Sequence, residues 1–102
     1  MRVKNLLPAK VKANLDAAIH AELFASNLYK HLANQLQSLG FFGAQKFFLS
    51  ESSSEQEHYQ RIVDYQNDSG AVAKMPAIEA MNDVVTSLED ALKIAFSTED
   101  QL

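Results

Sequence analysis

The sequence predicts an all-α fold, a single domain of a few long helices, and three observations support this. The 102 residues contain only 3 glycines and 2 prolines, too few breaks for a chain of many short strands. Apolar residues recur at helical spacing over two long segments. Alanine, the strongest helix former, fills much of the first segment. The chain length suits one domain over residues 1–102.

The first predicted helix spans about residues 6–38. Pro8 fits its first turn, where the missing N–H costs little. Its apolar stripe follows the helical repeat at Val11, Leu15, Ile19, Leu28, Leu32 and Leu36. Gly40 and Gly43 then end the helix and turn the chain.

The second predicted helix spans about residues 44–68. Its apolar stripe comprises Phe48, Leu49, Tyr59, Ile62, Val63 and Tyr65. The segment Asn67-Asp68-Ser69-Gly70 is a stop signal, because glycine suits the left-handed position after a helix end. The turn between the two helices is short, so they should form an antiparallel hairpin.

A connection of about residues 69–85, with Pro76 in its middle, precedes a third helix over about residues 86–102. Thr86 is the predicted N-cap of this helix, with Glu89 reaching back in a capping box. No glycine, asparagine or proline follows to end it, and acidic residues occupy its last turns, where the helix dipole prefers cations. The pattern indicates a chain that continues beyond Leu102.

Composition and charge restrict the function. Lysine plus arginine number 9 against 13 acidic residues, a net charge of −4, so no basic stripe favours nucleic acid or anionic lipid. No segment has the length of a membrane span or the pattern of a signal peptide, and the cytoplasm is the expected compartment. Because the chain has no cysteine, any metal must be bound by carboxylates and imidazole.

Three glutamates interrupt the apolar stripes. They are Glu22, Glu55 and Glu99, one on each predicted helix, and each lies seven residues after a stripe residue, namely Leu15, Phe48 and Leu92. Residues seven apart share a helix face, so each helix is expected to bury one glutamate. A buried carboxylate is normally paired, protonated or bound to metal.

His58 follows Glu55 by three residues, so both side chains project from the same face of a helix. An inward glutamate on one helix and a Glu-x-x-His pair on another form the building unit of di-iron bundle sites. These ligands suit iron, manganese or zinc. A single Glu-x-x-His is common on helices, and a single glutamate more often reaches water, so the combination carries the metal hypothesis.

Other polar residues near these positions leave alternatives open. Glu51 is either a surface residue, the preferred reading, or an accessory acid at the edge of the site. Tyr29 is either a packed core tyrosine or a hydrogen-bond donor to a ligand carboxylate. His20 and His31 lack acidic partners at ligand spacing and are expected to be exposed polar residues.

The motifs resemble those of the ferritins over nearly the whole chain. Residues 21–29, AELFASNLY, resemble the first-helix motif, with its glutamate and a tyrosine seven residues later. Residues 55–65, EQEHYQRIVDY, resemble the second-helix motif. Residues 88–92, LEDAL, followed by Glu99, resemble the third helix. The resemblance implies a ferritin-like four-helix bundle of which this chain holds the first two helices and the start of the third.

The resemblance also implies a di-iron ferroxidase centre. Glu22, Glu55 and His58 would bind the first iron, Glu55 would bridge to the second, and Glu99 would bind the second with a fourth-helix glutamate. Tyr29 matches the tyrosine beside the centre and is the predicted catalytic residue. Ferritins oxidise ferrous iron with dioxygen or peroxide and store ferric mineral in a homo-oligomeric 24-subunit shell.

The sequence departs from the ferritin pattern at two positions, and two alternative functions stay open. Ser54 stands where many prokaryotic ferritins carry a further glutamate, which argues against an accessory third iron site. Gln56 stands where bacterioferritins carry a haem-ligating methionine, so no haem is predicted.

One alternative function is a helical module that self-associates through its exposed apolar stripe with little oxidase activity. The other is a rubrerythrin-like di-iron peroxidase, against which the lack of a cysteine-rich segment counts.

Overall fold

The computed structural model describes residues 7–101, except for the side chains of residues 100 and 101. Within these residues the chain forms three α-helices and no strand: α1 over Ala9–Ser38, α2 over Phe42–Asp68 and α3 over Leu88–Gln101. The all-α prediction is confirmed. Residue 6, where the first helix was predicted to begin, and Leu102, where the third was predicted to end, lie outside the described part.

Both long helices end in the same glycine-dependent motif. After α1, Gly40 N donates to Gln37 O and Phe41 N to Leu36 O. Gly40 has a φ of 87°, a left-handed conformation that glycine adopts without steric cost. The end of α2 repeats this pattern around Gly70, whose φ is 86°. The first motif turns the chain so that α2 packs back along α1 as a hairpin.

The core lies along the α1–α2 interface and extends to the buried face of α3. Its buried apolar side chains include Leu28, Leu32, Leu36, Phe48, Ala91 and Ala95. Several residues of the predicted stripes are instead exposed, among them Val11, Leu49, Tyr65 and Leu92. These side chains lie at the margins of the interfaces, because α2 packs chiefly against α1 among the described elements.

The connection between α2 and α3 runs along α1 and is attached there by polar side chains. His20 Nε2 lies 2.9 Å from Glu79 Oε1, and His31 Nε2 lies 2.7 Å from Asp83 O. Gln35 Oε1 accepts a hydrogen bond from Val85 N. The two histidines therefore have partners in the connection, about 50 or more residues away in sequence, which helical spacing does not reveal.

The capping box predicted for the start of α3 is wrong by one residue. Ser87 Oγ, rather than Thr86, accepts the N-terminal hydrogen bond, from Asp90 N at 3.1 Å. Asp90, rather than Glu89, reaches back and accepts from both Thr86 N and Thr86 Oγ1. These bonds lower the pKa of the Asp90 carboxyl. Ser87 is thus the N-cap because Leu88 begins the helix.

Among the described helices, none combines the length and apolar character needed to cross a bilayer.

Candidate metal centre

Glu22, Glu55 and His58 converge between the two long helices. His58 Nδ1 lies 3.4 Å from Glu22 Oε2 and 3.4 Å from Glu55 Oε2. One ligand atom from each of the three residues lies within 4.8 Å of the others. The i, i+3 spacing on α2 aligns Glu55 with His58, and the hairpin brings Glu22 of α1 against both. The structure thus brings together three of the four predicted metal ligands.

One oxygen of each carboxylate in this cluster is buried without a hydrogen-bond partner. Glu55 is 5% exposed, Glu22 is partly buried and His58 is exposed on one side. Glu22 Oε2 and Glu55 Oε2 are buried, and neither has a hydrogen-bond partner among the described residues. Burial of unpaired carboxylate oxygens is costly, and a bound cation would offset that cost. The donor set of two carboxylates and one imidazole fits iron, manganese or zinc.

The pKa of Glu55 reflects this environment. It is raised from 4.5 to about 7, chiefly by burial and then by the adjacent carboxylate of Glu22, whereas His58 acts in the opposite direction. Glu55 therefore keeps its proton to a higher pH than an ordinary glutamate does. A metal ion that binds here must displace that proton.

The stability of the metal-free protein is expected to fall as pH rises from about 5 to about 7. The folded pKa of Glu55, about 7, exceeds its ordinary value of 4.5, so in this interval the folded chain binds more protons than the unfolded chain. Urea unfolding at several pH values, with a chelator present, measures the slope. Glu55→Gln should lose this part of the pH dependence, and an unchanged slope in that variant would contradict the assignment.

Tyr29 and Glu99 form a second polar pair beside the cluster. Tyr29 is 2% exposed, and its hydroxyl donates a hydrogen bond to Glu99 Oε1. Burial raises the pKa of Tyr29, and Glu99 raises it further. The ring of Tyr29 lies 5.9 Å from that of Phe48. Tyr29 therefore fills both roles left open by the sequence, because it is packed in the core and also binds a predicted ligand carboxylate.

The prediction that Glu99 is buried is wrong, since its side chain is exposed. It lies in the last described turns of α3, a helix that packs against α1 through its opposite, buried face. Its heptad position still directs the carboxylate toward Tyr29. Glu99 is not part of the close cluster of Glu22, Glu55 and His58.

A cavity of about 340 Å³ is lined by residues of both the metal-ligand cluster and the Tyr29–Glu99 pair. Its polar wall includes Glu51, Glu55, His58 and Glu99, and Phe47 and Phe96 form part of its apolar wall. Glu51 is half-buried at the edge of this cavity, a position compatible with both roles predicted for it. Phe96 was not among the predicted site residues, although its place three residues before Glu99 was a usable signal.

A helical hairpin with an inward glutamate opposite a Glu-x-x-His pair is typical of the carboxylate-bridged metal bundles. A family model of the ferritin-like domain matches residues 12–102. The chain belongs to this ferritin-like family.

Individual relatives agree with this assignment. The chain is 30% identical over 102 residues to the bacterial non-heme ferritin of Staphylococcus aureus (strain USA300), covering 100% of this chain and 58% of that protein. It is 28% identical over 94 residues to a "Probable bacterial non-heme ferritin-like protein" of Haemophilus influenzae, covering 92% of this chain and 57% of that protein. The chain thus spans less than two thirds of the length of these curated relatives.

A solved structure supports the fold independently. The ferritin of Chlorobium tepidum superposes with a TM-score of 0.89 at 20% sequence identity. The superposition covers 94% of this chain and 59% of the other. At this identity the comparison demonstrates the shared fold alone.

Proposed function

We propose that this chain acts in iron storage and detoxification and contributes most of a di-iron ferroxidase centre. The observation that carries the proposal is the convergence of Glu22, Glu55 and His58, with two buried carboxylate oxygens facing one imidazole nitrogen. Membership of the ferritin-like family supports iron as the metal. In this centre the iron is the substrate, because it is oxidised there and then stored.

The residues divide between two iron positions. Glu22, Glu55 and His58 bind the first ferrous ion, and Glu55 bridges to the second. Glu99 binds the second ion together with a carboxylate from outside the described residues. The hydrogen bond from Tyr29 holds the Glu99 carboxylate at the edge of the cavity, beside the first position.

The proposed reaction uses two ferrous ions as the reductant. Each ion gives up one electron, and with two protons they convert one dioxygen to hydrogen peroxide, or one hydrogen peroxide to two waters. Paired ions allow two-electron reduction without release of a radical. The negative carboxylates offset the positive charge gained as ferric ions form, and Glu55, with its raised pKa, passes its own proton to solvent when iron binds.

The assembly proposed for the complete subunit is a 24-subunit cytoplasmic shell that encloses ferric mineral. Family membership supports it. One observation favours self-association in a smaller form, since Phe47, Leu92 and Phe96 expose apolar surface around the cavity. Sedimentation velocity separates these assemblies: a shell-sized particle supports the first and a dimer the second.

Anomalous scattering at the iron edge, on crystals soaked anaerobically with ferrous salt, tests the site directly. The expected result is a peak between Glu22, Glu55 and His58. Soaks with magnesium salt serve as the control and should give no anomalous peak there. An iron-soaked crystal without density at this position would overturn the proposal.

A further inference from the structure

Two serines form a reciprocal contact at the centre of the α1–α2 interface. Ser26 is 0% exposed and Ser52 is 1% exposed. Ser26 Oγ donates to Ser52 O at 3.1 Å, and Ser52 Oγ donates to Ser26 O at 2.9 Å. The two Oγ atoms lie 2.9 Å apart. Each helix therefore binds the backbone of the other through a side chain of only one carbon and one oxygen.

Gln56 completes this contact. Its Nε2 donates to Ser26 Oγ at 2.9 Å. Each serine hydroxyl has one proton, and in this arrangement both protons go to the opposite backbone carbonyls. Ser26 Oγ then accepts from Gln56, so the buried hydroxyls are satisfied. Gln56 directly follows Glu55, and its side chain thus lies against α1 rather than in open solvent.

The contact lies one helical turn from the metal ligands. Ser26 follows Glu22 by four residues, and Ser52 precedes Glu55 by three. Because the helices are antiparallel, a step toward the C-terminus of α1 and a step toward the N-terminus of α2 run in the same direction. Glu22 therefore lies opposite Glu55 one turn away from the point at which Ser26 lies opposite Ser52. A slip of one turn would move one helix by about 5.4 Å relative to the other. That displacement exceeds the 3.4 Å separation between Glu22 Oε2 and His58 Nδ1.

Apolar packing opposes such a slip through the shapes of the side chains, whereas a hydrogen-bonded contact pairs particular atoms. Each serine hydroxyl meets a particular backbone carbonyl of the opposite helix, so any displacement leaves buried polar atoms without partners. The contact thus penalises displacement of α1 along α2 in either direction.

We propose that Ser26 and Ser52, supported by Gln56, are positioning residues that hold α1 and α2 in the register at which Glu22 meets Glu55 and His58. None of the three contacts the metal in this proposal. They act through the placement of the ligand carboxylates. The inference deepens the proposed function and rests on it where metal binding is concerned.

The decisive variant is Ser26→Ala/Ser52→Ala. It removes both hydroxyls together, so only the partly exposed amide of Gln56 loses its partner, and the loss of folding stability should be small. We expect the affinity for Co²⁺ to fall about tenfold or more, as with loss of ligand-orienting groups elsewhere, and the visible Co²⁺ spectrum to change. Ser53→Ala, an exposed serine on the same helix, is the matched control and should bind Co²⁺ as the wild type does.

Single variants provide a graded comparison. Ser26→Ala retains the bond from Ser52 Oγ to the backbone of position 26, and Ser52→Ala retains the converse bond. Each should bind Co²⁺ with intermediate affinity. If the double variant does not fold, the single variants decide by the same criteria. Wild-type affinity and spectrum in the folded variants would overturn the proposal.

A second measurement reports the register without metal. In the wild type, nuclear Overhauser cross-peaks should connect the side chains at positions 26 and 52, and in the double variant they should weaken while cross-peaks between other pairs of α1 and α2 residues appear. Retention of the wild-type pattern would overturn the proposal. If the wild type binds no Co²⁺ or Fe²⁺, the proposed function fails, and these cross-peaks still decide the role of the serines.

Discussion

Replacement of Glu55 by glutamine is expected to lower the affinity of the chain for ferrous iron by at least about 100-fold, more than the loss of an outer-shell group. Glu55 has the most buried carboxylate of the cluster and is adjacent to both Glu22 and His58. In the proposed centre it is also the bridging ligand, so both iron positions lose an anionic oxygen. Anaerobic calorimetric titration with ferrous salt measures the affinity.

Glu57→Gln is the matched control for this prediction. Glu57 lies two residues away on the same helix and is exposed, so its loss removes the same charge without removing a ligand. We expect near-wild-type affinity in this variant. If both variants weakened binding equally, the effect would come from overall charge, and the assigned role of Glu55 would be wrong.

Replacement of Phe48 by alanine is expected to destabilise the fold by about 3–5 kcal/mol, the range for loss of a buried phenylalanine side chain. Phe48 is 2% exposed and packs with Tyr29 at the point where α1, α2 and α3 share one core. Its removal leaves a cavity that the two long helices cannot close without displacing Tyr29. Urea unfolding followed by circular dichroism gives the free energy.

The adjacent Phe47 offers a control of the same residue type. Phe47 is 55% exposed and contacts Phe48 edge-on, with ring centroids 5.3 Å apart. Phe47→Ala should cost about 1 kcal/mol or less, because little apolar area is removed from the core. Equal destabilisation by both substitutions would contradict the core described for this part of the hairpin.

Much of the fold follows from local chemistry. The helix stops at Gly40 and Gly70 depend on left-handed backbone conformations that glycine favours, and the structure has positive φ at both. The start of α3 was predicted one residue early, since Thr86 and Ser87 are both competent N-caps. The choice between adjacent caps depends on where the incoming connection is held, which the local sequence does not specify.

The long-range polar contacts were harder to predict from the sequence. His20 and His31 pair with residues of the connection that lie far away in sequence, and helical spacing carries no information about such partners. The Ser26–Ser52 contact was missed for the same reason, since serine within an apolar stripe has no obvious role until the opposite helix is in place.

The sequence by itself determined the helical class, the hairpin and the identity of the ligand candidates. Helical periodicity and a three-residue spacing are properties of a single helix, and they place Glu55 and His58 side by side in any context. Only the tertiary structure decided that Glu22 reaches them, that Glu99 stays exposed beside Tyr29, and that two buried oxygens lack partners. These facts depend on the register and burial of one helix against another, which are set by packing across the whole chain.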